Sequence, residues 1–318
     1  MMTNGFFDLQ VNGYAGVDFN QEGLTIEQLR LACQTMRNDG VTQFLPTIIT
    51  EDLDRMASRL QTLANLRAQD KLLEGMIPGF HVEGPFINEA DGYHGAHPLE
   101  AVRPAAVDAT KRLLDAGAGV VKIVTLAPER DEGFEVTRLL ADAGVVISAG
   151  HCDPSLDQLR GAIDAGLTMF THLGNGCPMH MHRHDNIVQR ALSMSDRLWL
   201  CFIADGAHVP FVALKNYIRL AGVECCITVT DAIAPAGMGP GNYTLGRWKL
   251  KIGEDMVARA PDGSHLVGSA IHMPRVVENL RTHVQLSDDE IDRLTVRNPR
   301  LAVGIGCPAG NDLQGSNA

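Results

Sequence analysis

Apolar and polar positions along the chain fall into two alternating regimes. Short runs rich in Val, Ile, Leu, Phe and Thr at 6–11, 41–49, 76–82, 120–126, 145–149, 167–172, 199–204 and 224–230 have the length and composition of buried strands. Between them, spacings such as Leu53, Met56, Leu60, Leu63 and Leu66 trace one face of a helix, and Gly40, Gly75, Gly119, Gly144 and Gly166 stand where helices would end. The pattern is a repeated βα unit. Eight units predict an α/β chain closed into a parallel TIM (β/α)8 barrel. An open doubly wound sheet is disfavoured because no GxGxxG fingerprint follows the first strand.

The barrel is expected to span 5–300. It includes a small β-hairpin excursion at about 243–263, where Gly253-Glu254-Asp255 and Pro261-Asp262-Gly263 supply turns. Helices over 271–280 and 288–294 would complete its wall, and 306–318, rich in Gly, Pro, Asn and Ser, reads as a loose tail. Gly237-Met238-Gly239-Pro240-Gly241 lacks the Lys-Ser/Thr of a phosphate loop and reads as a lid or a turn.

With 45% hydrophobic and 20% charged residues, the composition is that of a globular enzyme rather than a disordered chain. A formal net charge of −11 argues against a nucleic-acid partner, although it leaves room for a local basic pocket. No apolar run reaches the roughly 18 residues of a membrane span, and the start lacks the basic and apolar regions of a signal peptide. The expectation is a cytoplasmic protein without a membrane partner. Its seven cysteines contain no CxxC and read as reduced, mostly buried thiols.

Barrel enzymes gather their chemistry at the C-terminal ends of the strands and in the loops that follow. Gln10 and Asn12 end the first expected strand, Glu83 the third, His151 the fifth and His172 the sixth; Asp205 and His208 follow the seventh, and Asp231 the eighth. Singly, a strand-end histidine often caps a carbonyl, and a glutamate beside Gly84-Pro85 often serves a turn. Recurrence at successive strand exits shifts the weight towards a shared site. Glu83, His151 and His172 form the two-imidazole, one-carboxylate set that suits a divalent ion such as Zn2+. Asp231, delivered by an apolar strand, is suited to proton transfer beside it.

The ordered motifs Phe7-Asp8-Leu9-Gln10-Val11-Asn12-Gly13, His81-Val82-Glu83-Gly84-Pro85-Phe86, Gly95-Ala96-His97-Pro98, Ala149-Gly150-His151, Thr171-His172-Leu173-Gly174-Asn175, Ala204-Asp205-Gly206-Ala207-His208, Thr230-Asp231-Ala232 and Gly268-Ser269-Ala270 resemble those of the N-acetylglucosamine-6-phosphate deacetylase family of the amidohydrolase superfamily. The likeness runs from about Phe6 to Asn298-Pro299. It implies metal-dependent hydrolysis of the acetamide of N-acetylglucosamine-6-phosphate. Glu83, His151 and His172 would be metal ligands, Asp231 the catalytic acid/base, and His97 a group that polarises the acetyl carbonyl. The resemblance also implies that His208 and the backbone at Asn175-Gly176 hold the sugar phosphate. Arg183 would reach a neighbouring subunit's phosphate in a homodimer.

Departures from the family's pattern refine these expectations. Many superfamily members carry His-x-His on the first strand for a second metal. Here Gln10-Val11-Asn12 are neutral amides, poor ligands, so one divalent ion is expected, Zn2+ ahead of Fe2+ or another. Arg183 is followed by His184-Asp185-Asn186 in place of the family's Glu-Pro-Gly. The tract containing His180, His182 and His184 reads as decoration of the substrate loop rather than a second metal site. Related enzymes carry a β-sandwich built from segments flanking the barrel; here it is expected to be reduced or missing. The alternatives are an amidohydrolase for another N-acyl amine or cyclic amide, and a non-catalytic sugar-phosphate-binding barrel.

Overall fold

A computed structural model describes residues 5–245, 248–263 and 266–306. Eight parallel strands follow one another in chain order around a barrel: β1 (Phe6–Val11), β2 (Val41–Ile49), β3 (Phe80–Glu83), β4 (Val121–Leu126), β5 (Val146–Ala149), β6 (Leu167–Phe170), β7 (Trp199–Ile203) and β8 (Cys226–Val229). Each is followed by a wall helix: α1 (Ile26–Asn38), α2 (Leu53–Ala68), α3 (Val107–Ala116), α4 (Glu135–Asp142), α5 (Leu156–Asp164), α6 (Ile187–Leu192), α7 (Phe211–Ala221) and α8 (Met273–Asn279).

Local chemistry accounts for the helix starts. Thr25 and Ser155 close capping boxes with Gln28 and Gln158, and Asp52 accepts the first free amides of α2. One expected strand moves: residues 71–76 form a short helix capped by Asp70, with Leu73 and Met76 buried, and β3 begins only at Phe80. A run of apolar residues does not by itself separate a strand from a buried helical turn, and the Asp70 cap decides for helix here.

Phe7, Leu9, Leu45, Ile123, Met169, Cys201, Ile203, Ile227 and Val229 come from alternate positions of six strands and form one cluster, the packed barrel interior, with Ala302 and Val303 closing its lower end. Arg300 is buried beneath them, donating to the carbonyls of Val296 and Gly5 and to Thr42 Oγ1 while lying over the Phe7 ring. The larger cluster lies between strands and helices.

The seam between β1 and β8 is irregular. Among the described residues, the two strands share no continuous ladder; an isolated bridge pairs Val11 with Ala232, and Asp231 N donates to Gln10 O at 2.9 Å. β1 also breaks register against β2 between Asp8 and Val11. The backbone groups freed by this bulge are taken up by side chains. Leu9 O is bonded by His81 Nδ1 at 3.1 Å, Val11 N by Thr47 Oγ1 at 3.1 Å, and Gln10 N by Asp8 Oδ1 at 3.4 Å.

Between β8 and α8 lies a four-stranded antiparallel sheet: β9 (Gly241–Leu245), β10 (Trp248–Ile252), β11 (Val257–Arg259) and β12 (Leu266–Ser269). Leu250, Ile252, Met256 and Ala258 face inward against Ile233 and Ala270, while Lys249 and Lys251 face solvent. This sheet is separate from the barrel sheet and is the part of the structure that corresponds to the accessory domain of related enzymes. The expected tail, from 307 onward, lies outside the described residues.

Candidate active site

Glu83 ends β3, while His151, His172 and Asp231 each stand two residues beyond β5, β6 and β8. Alternation along the strands would carry these side chains up the barrel wall. A left-handed backbone at each of the last three, φ 52° at His151, 29° at His172 and 49° at Asp231, turns them over the mouth instead. Non-glycine residues rarely adopt this region, and such strain is retained where the surroundings hold it in place.

The result is a tight triangle of ligand atoms. Glu83 Oε1 lies 3.2 Å from His151 Nε2 and 2.9 Å from His172 Nε2, and the two Nε2 atoms are 3.2 Å apart. His151 Nδ1 donates to Tyr93 O at 2.7 Å, which leaves a lone pair on its Nε2. A single proton on His172 Nε2 cannot serve all three atoms, whereas a divalent cation can. Donors bound to a tetrahedral zinc at about 2.0–2.1 Å stand about 3.3 Å apart, close to what is observed. The donor set therefore fits a metal ion.

All three side chains are buried. Burial pushes the Glu83 carboxyl up, but hydrogen bonds and charge from His151 and His172 outweigh it and hold the group well below its ordinary value. His172 answers in the opposite direction: burial lowers it, but the Glu83 hydrogen bond and charge outweigh burial and raise it above its ordinary value.

His97 comes in from the long loop after β3. A ligand atom on each of Glu83, His97 and His151 lies within 4.8 Å of the others, and the His97 ring meets His151 edge-on with centroids 4.4 Å apart. This grouping shares Glu83 and His151 with the triangle, so His97 and His172 both stand at the same candidate metal site. Burial and the neighbouring His151 lower His97 to about 3, so the ring is neutral near pH 7. Its Nδ1 has no hydrogen-bond partner among the described residues.

Asn12 Nδ2 donates to Asp231 Oδ1 at 2.7 Å, and Gln10 Nε2 to Glu83 Oε1 at 3.1 Å. The two amides of the first strand thus hold carboxylates. Burial and the charge of Glu83 raise Asp231 to about 6. His81 bonds Leu9 O and Thr125 Oγ1, and Thr125 continues through Thr171 to Ser148 at 2.7 and 2.6 Å.

The substrate-side candidates divide. Asn175 donates to His172 O through both its backbone N and its Nδ2, and Gly176 packs so closely on His151 that an added Cβ would lie 2.9 Å from Nδ1. His208 Nδ1 is bound by Asp205 Oδ2 at 2.6 Å, and Asp205 Oδ1 accepts the amides of Ala207 and His208. Burial raises Asp205, but the His208 bond and these amides outweigh it. Arg183 stays exposed, outside the buried cluster, as do His180, His182 and His184.

Sequence reasoning assigned no role to the Asp8 and Thr230 side chains or to the Tyr93 carbonyl. A buried aspartate two residues before Gln10 was a signal for the first; a backbone carbonyl leaves no trace in a sequence.

No family model matches the chain. N-acetylglucosamine-6-phosphate deacetylase of Bacillus subtilis (strain 168) is 30% identical over 320 residues, covering 100% of this chain and 79% of that protein. N-acetylgalactosamine-6-phosphate deacetylase of Shewanella sp. (strain ANA-3) is 35% identical, covering 94% and 73%. Among solved structures, a variant of the Mycobacterium smegmatis N-acetyl-D-glucosamine-6-phosphate deacetylase in complex with N-acetyl-D-glucosamine-6-phosphate superposes with a TM-score of 0.84 at 30% identity, covering 95% of this chain and 77% of that one. The Thermotoga maritima N-acetylglucosamine-6-phosphate deacetylase gives 0.81 at 27%, covering 95% and 78%. Likeness of this extent, over a barrel whose mouth gathers two histidines and two carboxylates, shows that the chain belongs to the N-acetylglucosamine-6-phosphate deacetylase family.

Proposed function

We propose that this chain hydrolyses the acetamide of N-acetylglucosamine-6-phosphate to acetate and glucosamine-6-phosphate. The observation that carries the reading is the Glu83–His151–His172 triangle with Asp231 at the exit of β8, within electrostatic reach of both Glu83 and His172.

Glu83, His151 and His172 would hold one divalent ion, with Zn2+ ahead of Fe2+. When bound, such an ion polarises a carbonyl and acidifies water. The remaining steps belong to the protein. His97, kept neutral by burial, offers a ring N–H to the acetyl oxygen and so withdraws charge from the carbonyl carbon. With Asp231 Oδ1 engaged by Asn12, Oδ2 takes the proton of the attacking water and returns it to the departing amine nitrogen. A value raised to about 6 suits both halves of that transfer, since the group is mostly ionised near neutrality yet still accepts a proton.

His208, oriented by Asp205, and the turn at Asn175-Gly176 face the sugar phosphate in this reading. Arg183 would serve a neighbouring subunit's site in a homodimer, a role its exposure supports. No described helix is long and apolar enough to cross a membrane, and the reading takes the protein as cytoplasmic.

The 35% identity to a deacetylase named for the galacto sugar supports a second reading, N-acetylgalactosamine-6-phosphate as substrate. Acetate release measured with one equivalent of zinc on both sugar phosphates and on unphosphorylated N-acetylglucosamine separates them. Turnover that prefers the gluco phosphate supports the first reading, and preference for the galacto phosphate replaces it with the second. Absence of turnover on all three refutes both.

A further inference from the structure

We infer that Asp8 and Thr230 are positioning residues that lock the strained turn carrying Asp231, through a side-chain clamp across the seam where the barrel closes. The inference rests on the reading of Asp231 as the proton-transfer group.

A ladder between β1 and β8 would hold the backbone around residue 231 with main-chain carbonyls. At this seam side chains do the work. Asp8 is fully buried, and its Oδ1 accepts Thr230 N at 3.2 Å. Its Oδ2 accepts the Thr230 hydroxyl at 2.6 Å, and Thr230 Oγ1 in turn accepts Ala232 N at 3.2 Å. The amides on both sides of Asp231 are therefore tied to one carboxylate, directly or through one hydroxyl. The amide of Asp231 itself goes to Gln10 O.

The same carboxylate reaches Gln10 N at 3.4 Å, at the bulge that precedes Asn12. Asp8 thus touches both strands that meet in the Asn12–Asp231 hydrogen bond. A left-handed aspartate with φ 49° persists only where its neighbours are held, and this clamp is what holds them. Asp8 alternates with Phe7 and Leu9, which fill the barrel, so it lies behind the mouth and acts on the chemistry through Asp231.

Three variants of the zinc-loaded enzyme test this. Asp8→Asn turns one acceptor into a donor facing donors, Thr230→Val removes the hydroxyl while keeping the shape, and Thr230→Ser restores it. A misplacement of the proton-transfer group that leaves binding intact should lower kcat of Asp8→Asn and Thr230→Val by roughly 10- to 100-fold with KM held within about threefold. Each variant should keep one equivalent of metal, and Thr230→Ser should recover kcat to within about threefold of the parent. Parent-like kcat in both Asp8→Asn and Thr230→Val would overturn the inference. So would a loss that follows metal content, or a loss that Thr230→Ser shares. Asp231→Asn, run in parallel, separates the two claims: if it keeps full activity the reading of Asp231 fails, and if it alone is inactive the clamp fails.

Discussion

Adding one methyl group at Gly176 should weaken metal binding without replacing any ligand. The residue has φ 61°, where an alanine pays about 1–2 kcal/mol for its Cβ. The new carbon would also stand 2.9 Å from His151 Nδ1 and 3.1 Å from its Cε1 and Cγ, where ordinary contact is about 3.5–4.0 Å. The ring must yield by roughly half an ångström. It has little freedom to do so, because Nδ1 is tied to Tyr93 O at 2.7 Å and the His97 ring lies against it. Ligand distances tolerate only about ±0.2 Å, so the shift falls on the triangle. Disturbing a ligand's support typically costs about 10- to 100-fold in metal affinity, or about 1.4–2.7 kcal/mol. Competition against a chromophoric chelator reads the affinity directly, and activity titrated with zinc should recover towards the parent kcat at excess metal. Parent-like zinc affinity in Gly176→Ala would refute the packing argument.

Asp231→Asn should retain its equivalent of zinc and lose roughly 100- to 10,000-fold in kcat, checked by metal analysis beside acetate release. The kcat–pH profile should carry an acid limb set by Asp231, which must be ionised to accept the proton: burial and Glu83 raise it to about 6 and a bound cation draws it down, so activity should drop as pH decreases below about 6, and an acid limb that persists unchanged in Asp231→Asn would contradict this. Glu83→Gln should purify without stoichiometric metal, since removing the anionic corner leaves two imidazoles and a neutral amide; full zinc occupancy would exclude Glu83 as a ligand. Arg300→Ala should lower stability by about 3 kcal/mol in urea unfolding while leaving kcat unchanged, because it empties the packed lower end of the barrel and strips the bonds to Val296 O, Gly5 O and Thr42.

What could be read from the residues alone follows from local physics. Strands of four to nine residues and helices with a three-to-four spacing advertise themselves through burial, because each must present an apolar face wherever it packs. Eight alternations left a barrel as the favoured closure. Ligand-type residues could be placed at strand exits because the exit of an alternating strand is a position in sequence as well as in space. The third strand marks the limit: of the expected 76–82, Met76 ends the helix capped by Asp70, Ile77-Pro78-Gly79 belong to neither element, and the strand begins at Phe80.

Other features required the closed chain. Neither the register break in β1 nor the missing ladder at the seam has a sequence signature, since both express how the first strand meets the last across all the intervening chain. They decide that Gln10 and Asn12 reach Glu83 and Asp231, and that Asp8 carries the turn between. Likewise Tyr93 O and Gly176 converge on one imidazole from two different loops. The repeat, the barrel and the chemical types at its mouth were legible in the residues because they depend on periodicity and side-chain identity. Which of those groups meet, and at what distance, was settled in the folded barrel, because that depends on closure, register and backbone strain summed around the whole ring.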